Sequence, residues 1–332
     1  MTDFLKKTYK IMEIQGKAII ATLESTTLQQ PEALLNRQQI ILTGCGDSYA
    51  VANFGRWIFL NIGIPSVCIS PTEIEQIPIN SDFTIIGVTA SGRSRTTVKA
   101  LRHAQEREAY TIALTDNPNG EIHELAHELW LTESGVTTYD IVPTAPTTTA
   151  MGYLLKIAEI LGNDESISKD CKHLSKVMEN AIQWAKKWGE EFSEKLIPDG
   201  TLYLISEGPN FVAADLGMMK FNEYAVMKSQ TVLREEFRHH GNLPTKDNDT
   251  VMLITDSPMT DADERYIQVI SETLRLNATI LCTPSYLDIR TRFAQTILNT
   301  IALQYAAYHN VLKYHPEMEW FRLPNAKAFR IY

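Results

Sequence analysis

Val88-Thr89-Ala90-Ser91-Gly92-Arg93-Ser94-Arg95-Thr96-Thr97 joins an apolar run, Phe83 to Val88, to a segment with Val98, Leu101 and Ala104 at helical spacing. The order predicts strand, hydroxyl-rich turn, helix. Such a turn leaves backbone N–H groups unpaired at a helix start, where the dipole favours an anion, and it adds the hydroxyls of Thr89, Ser91, Ser94 and Thr96. A phosphate would fit there. A plainer reading stands beside this one: Ser and Thr are common helix caps, and Ser94 or Thr96 could serve only as an N-cap.

A second unit of the same kind lies upstream. Gln39 to Thr43 is an apolar run that ends in Gly44-Cys45-Gly46-Asp47-Ser48, and Val51, Phe54, Ile58 and Leu60 follow at roughly helical spacing. Further strands are expected at Ser66 to Ser70, Thr111 to Leu114 and Glu128 to Thr132. Strands alternating with helices predict a parallel sheet covered on both faces, with ligands beyond the carboxyl ends of the strands. Both turns fall at that edge and are expected to face one pocket. The second half repeats the plan, with strands at Thr201 to Ile205, Thr250 to Thr255 and Ala278 to Thr283, a turn at Ser206-Glu207-Gly208-Pro209 and a helix from Phe211 to Met227. Ile289, Phe293, Ile297 and Ile301 stripe a helix reaching about Leu312. Two α/β halves of similar order suggest an internal duplication.

Five segments follow from these signals. Residues 1–30 read as an N-terminal helical arm, a helix or helix pair ended by Pro31, which could pack on a partner subunit. Residues 31–165 form the first α/β domain, 166–200 a helical connection carrying Leu174, Val177, Ala181, Trp184 and Trp188, 201–314 the second domain and 315–332 a tail. The Thr- and Pro-rich stretch Thr137 to Thr149 reads as a loop before a helix from Ala150 to Leu161.

The 332 residues carry 31 Lys and Arg against 40 Asp and Glu, a net charge of -9 that argues against nucleic acid as the main partner. Cys45, Cys68, Cys171 and Cys282 are scattered, with no pair or Cys/His cluster at zinc-ligand spacing, so no metal is expected. The N-terminus mixes charges with apolar residues unlike a signal peptide, and the uncharged run Trp57 to Thr72 is broken by Gly63 and Pro65 before it could span a membrane. A soluble cytoplasmic protein is expected.

The arrangement resembles the SIS (sugar isomerase) family, specifically its double-SIS group, which includes the isomerase half of glucosamine-6-phosphate synthase, aminosugar-phosphate deaminases and fructosamine-phosphate deglycases. The family's Cys-Gly-Thr-Ser is similar to Cys45-Gly46-Asp47-Ser48, its phosphate loop Ser-Gln-Ser-Gly-Glu-Thr to Thr89-Ala90-Ser91-Gly92-Arg93-Ser94, and its Val-Ala-Ser-Thr to Val142-Pro143-Thr144-Ala145. The resemblance implies an α/β chain of two doubly wound, flavodoxin-like parallel-sheet domains in tandem, without a cofactor. It implies that Gly46, Asp47, Ser48, Thr89, Ser91, Gly92 and Ser94 hold a sugar phosphate, with Thr144 near the sugar. Ala90 and Arg93 depart from the pattern.

In the second half, the family's helix ending in a catalytic Glu resembles Gly217 to Glu223, and a second acidic residue carried by some members falls on Leu216. Glu-Leu-Lys-His-Gly-Pro is similar to Glu236-Phe237-Arg238-His239-His240-Gly241-Asn242, in which counting from Glu236 selects His239 and counting back from Gly241 selects His240. The family's tail lysine, which closes over the sugar, corresponds to Lys327.

Moving a proton between C1 and C2 of an opened sugar needs a carboxylate base and a group that shuttles a proton at the ring oxygen. By resemblance Glu223 suits the first and His239 or His240 the second. A lysine or free ammonia at C2 would equally serve deamination. No glutaminase domain with a cysteine nucleophile precedes the arm, so glutamine-dependent synthesis by this chain alone is not expected. The reading is therefore a phosphosugar isomerase or aminosugar-6-phosphate deaminase, a homodimer with a shared site. The alternatives are a deglycase, an isomerase of a sulfonated sugar, or a non-catalytic phosphosugar-binding regulator.

Overall fold

Uninterrupted runs of β-branched and apolar residues build the strands, because a parallel strand is buried on both faces and gains from apolar side chains on each. The computed structural model describes residues 1–139 and 141–320. Its first half contains helices α1 (Asp3–Ser25), α2 (Glu32–Leu35), α3 (Asp47–Asn61), α4 (Arg95–Gln105) and α5 (Ala145–Leu161), and strands β1 (Gln39–Gly44), β2 (Ser66–Cys68), β3 (Phe83–Val88), β4 (Tyr110–Thr115) and β5 (Glu128–Leu131). The strands form one sheet in the order β2-β1-β3-β4-β5, every pairing parallel. Leu42 lies opposite Ile86, and Ile86 opposite Ile112.

Helix α6 (Glu165–Lys195) leads to α7 (Asn210–Glu223), α8 (Arg234–Glu236) with its π-helical continuation Phe237–Gly241, α9 (Asp261–Glu272) and α10 (Arg292–Tyr314). Strands β6 (Leu202–Ser206), β7 (Ser229–Leu233), β8 (Thr250–Ile254) and β9 (Asn277–Leu281) form a second parallel sheet in the order β7-β6-β8-β9. This repeats the order of the first four strands of the first sheet. The expected pair of doubly wound α/β units is therefore present. The chain divides into two compact units: Ile14–Lys172 holds the first sheet, and Met1–Glu13 together with the described residues from His173 on holds the second.

Each sheet has its own core. In the first unit Ile41, Ile85 and Ala113 pack with Val98, Leu101 and Ala104 of α4. Gly87 makes room for that helix, since a Cβ there would come 2.3 Å from Leu101 Cδ1. In the second unit Tyr203, Ile205, Val251 and Leu253 pack with Phe237 and Ile270. Helix α10 is buried over nearly all of its length, with Gln295, Thr296, Asn299, Thr300, Gln304 and Asn310 among its buried residues.

Several boundaries differ from expectation. Of the helix or helix pair expected for the arm, the structure has one helix, α1, which ends at Ser25. The Thr- and Pro-rich stretch is not a loop up to Thr149: helix α5 begins at Ala145, with Pro146 in its first turn, where a missing N–H costs nothing. Helix α7 stops at Glu223, short of Met227, and the chain turns there through Val226, whose φ of 53° is left-handed. Strand β7 and helix α9 are additional elements. Among the described residues no helix is long and apolar enough to cross a membrane. Lys327, with the expected tail beyond residue 320, lies outside the described residues.

Candidate functional site

The first unit brings its two hydroxyl-bearing turns together. The turn after β1 passes through Gly46, whose φ of 55° is one that residues with a side chain rarely adopt, and starts α3 with Asp47 and Ser48. Cys45 Sγ of that turn lies 2.9 Å from Thr96 Oγ1 in the first turn of α4. Both turns stand at the carboxyl ends of the adjacent strands β1 and β3, where the strand order reverses and doubly wound sheets bind ligands.

The turn after β3 is held from behind by its carbonyls. Gly92 N–H donates to the Thr89 carbonyl at 3.1 Å, Asp116 N–H to that of Ala90 at 3.2 Å and Ile122 N–H to that of Gly92 at 3.1 Å. Asn117 Nδ2 donates to the Ser91 carbonyl at 2.8 Å. Gly92 has a φ of 66°, and a Cβ there would come 2.7 Å from Gly120 Cα, so the turn lies flat on the loop after β4. Ser94 occupies the N-cap of α4, but its side chain does not cap the helix; its Oγ lies 3.0 Å from Thr89 Oγ1. The plain capping reading thus fails for Ser94. Thr89 is fully buried, which makes it a support for Ser94, while Ser91 and Ser94 are half-exposed.

A third helix start joins them. Thr147 Oγ1 donates to Asp47 Oδ2 at 3.0 Å, tying the first turn of α5 to that of α3. Thr144 is the N-cap of α5, and its buried hydroxyl has no partner among the described residues. A buried hydroxyl without a partner costs free energy, so the spot favours a bound polar group. Arg93 is exposed. Its charge acts on Tyr139, whose phenol is pushed up by burial first and then by Asp116.

The second unit carries the expected acid and histidines. Glu223 is the last residue of α7, and its Oε2 accepts from Lys220 Nζ at 2.8 Å. The Lys220 side chain is 1% exposed and that of Glu223 34%. A pairing with Lys220 or Lys228 is the plain reading of Glu223 as a helix carboxylate, and the Lys220 pair is present; what the sequence does not show is that Lys220 is buried. Tyr224 follows, with a fully buried hydroxyl that has no partner among the described residues and a phenol pushed well up by burial. His239 and His240 sit on the π-helical turn, exposed, with Nε2 atoms 3.1 Å from Glu235 Oε1 and 3.0 Å from Glu236 Oε2. Each pairs with a glutamate one turn back, so the geometry treats them alike. Leu216 is core.

Known proteins share the fold. Residues 33–158 match the SIS domain. An isomerizing glutamine–fructose-6-phosphate aminotransferase of Arabidopsis thaliana is 25% identical over 214 residues, 61% of this chain and 31% of the relative. The chain thus spans about a third of the length of that protein. The C-terminal domain of glucosamine-fructose-6-phosphate aminotransferase from Francisella tularensis superposes with a TM-score of 0.77 at 17% identity, covering 92% of this chain and 95% of that one. Glucosamine-6-phosphate deaminase from Thermotoga maritima superposes with a TM-score of 0.74 at 17% identity, covering 92% and 94%. Residues 33–158 therefore carry a SIS domain, and the chain is similar over much of its length to isomerizing glutamine–fructose-6-phosphate aminotransferases.

Proposed function

We propose that this protein is a phosphosugar isomerase or aminosugar-6-phosphate deaminase, acting on a sugar 6-phosphate by ring opening and proton transfer between C1 and C2. The carrying observation is the convergence of three helix starts, at Gly46–Ser48, Ser94 and Thr144, on one strand-order reversal. Ser48, Ser91 and Ser94 supply hydroxyl donors, and Thr89 positions Ser94. The phosphate takes that cradle, because helix starts and hydroxyls together favour an anion. Thr144 offers its unpartnered hydroxyl to the sugar. Glu223 takes the proton between C1 and C2, and His239 or His240 moves the proton at the ring oxygen. The site is completed in a homodimer by the neighbouring subunit, with Lys327 as a further catalytic residue. That relatives named here are an aminotransferase and a deaminase of six-carbon sugar phosphates supports the substrate class.

The test is turnover. The purified chain is mixed with fructose 6-phosphate, glucosamine 6-phosphate, a fructosamine 6-phosphate and a sulfonated sugar, while aldose, ketose and ammonia are followed. Turnover of a phosphosugar that Glu223→Gln reduces by about 10²–10⁴, with binding retained, is the expected result. Binding without turnover across the panel identifies a regulator instead.

A further inference from the structure

The second sheet reverses its strand order between β6 and β8, as the first does between β1 and β3. At the carboxyl ends of those strands lies a cavity of about 110 Å³ lined by Glu207, Gly208, Asn210, Arg234, Asp256 and Arg292, with the end of β8 as its floor. That is room for a small ion or one group of a ligand rather than a whole sugar phosphate. Gly208 has a φ of 60°, which residues with a side chain rarely adopt, and lies beside Arg292 Nη1.

Two guanidiniums from different elements face this space. Arg234 follows β7, its side chain 18% exposed, and is held at the back by Asp263 Oδ1 and the Ala262 carbonyl. Arg292 opens α10 and meets Asp256 Oδ2 at 3.2 Å. Asp256 Oδ1 is itself taken by Asn210 Nδ2 at 2.8 Å. A guanidinium has five N–H donors in a fork that matches oxyanions, and these partners leave donors of both arginines unused. On the solvent side Glu207, 68% exposed, lies 3.6 Å from Arg234. An exposed pair at that separation holds weakly, so an incoming anion displaces it readily.

We infer that this cavity is a second anion site, which takes a phosphoryl group between Arg234 and Arg292 in place of the Glu207 carboxylate. It is separate from the cradle of the first unit and goes beyond the reaction proposed above. The phosphoryl group comes either from free phosphate or from a sugar phosphate. With free phosphate the site is a sensor of phosphate level. With a sugar phosphate it holds a second molecule of the class that the cradle takes.

Calorimetric titration of the full chain tests this, with inorganic phosphate in one arm and fructose 6-phosphate in the other. Two sites per chain are expected in at least one arm. Arg292→Ala is expected to weaken one of them at least tenfold and leave the other intact, and Ser91→Ala with Ser94→Ala to do the reverse. Glu207→Gln, an exposed change that leaves the fold intact, is expected to tighten phosphate at the Arg292-dependent site several-fold. Sites of which none responds to Arg292→Ala or Glu207→Gln overturn the inference. One site that responds to the arginine change and not to the serine changes upholds it, and the cradle reading then falls instead.

Discussion

Lys220 and Glu223 form a pair whose two ends differ in burial, and the two obvious substitutions therefore differ in cost. Glu223→Ala takes one carboxylate partner from an ammonium that is 1% exposed, and losing a partner of a buried charge is costly; for this partly exposed pair about 1–3 kcal/mol is expected. Lys220→Met leaves a carboxylate that water already reaches, and methionine fills most of the space, so the loss is smaller. Denaturant midpoints of the two variants should fall in that order. Asp215 makes a pH prediction. Burial pushes its carboxyl up, against the Thr231 hydroxyl that donates to it at 2.8 Å. The folded chain then keeps a proton that the unfolded chain has released, so Asp215 lowers stability as pH rises from its ordinary value near about 3.9. Relative to the native chain, Asp215→Asn should gain stability as pH rises from about 4. Parallel pH curves for the two proteins would contradict this.

Elements were legible where one residue class dominates a run. Strands β1, β3, β4, β6 and β8 are apolar on both faces, and the expected and observed ends agree within a residue or so. Helix α9, by contrast, buries only Asp263 and Ile270, so no apolar stripe announces it. Its signal is the capping box, in which Thr260 accepts from Asp263 N–H and Asp263 accepts from Thr260 N–H. Thr260→Ala should cost about 1 kcal/mol in denaturant unfolding. Strand β7 is a short, half-exposed edge strand and carries an equally weak pattern. The cradle makes a prediction between elements. A Cβ on Gly120 would come 2.5 Å from Gly92 Cα, so Gly120→Ala, 26 residues from Ser94 in the chain, should displace the turn after β3 at a cost of about 1–3 kcal/mol. Phosphate affinity should fall at least tenfold, and unchanged affinity would show that the turn is not the phosphate site.

For the whole molecule, the shared-site proposal has a direct consequence. Light scattering should report a homodimer. Mixing a Ser91→Ala chain with a His239→Ala, His240→Ala chain should restore turnover that neither has alone, since one of the two mixed sites is then intact. Turnover that never exceeds the sum of the separate variants would place each complete site within one chain.

The alternation of apolar runs with Gly- and Ser-rich turns was enough for two parallel α/β units and for the position of both turns at a sheet edge. Each of those properties depends on local order: which residues flank a strand, and where the chain must reverse. Tertiary structure decided the rest. It set Ser94 against Thr89 rather than on its own helix, joined α5 to α3 through Thr147 and Asp47, buried Lys220 beside Glu223, and left the Thr144 hydroxyl without a partner among the described residues. These contacts join residues whose separation in the chain carries no pattern. They arise from packing, which brings distant side chains into one low-dielectric space and makes each unpaired group there costly.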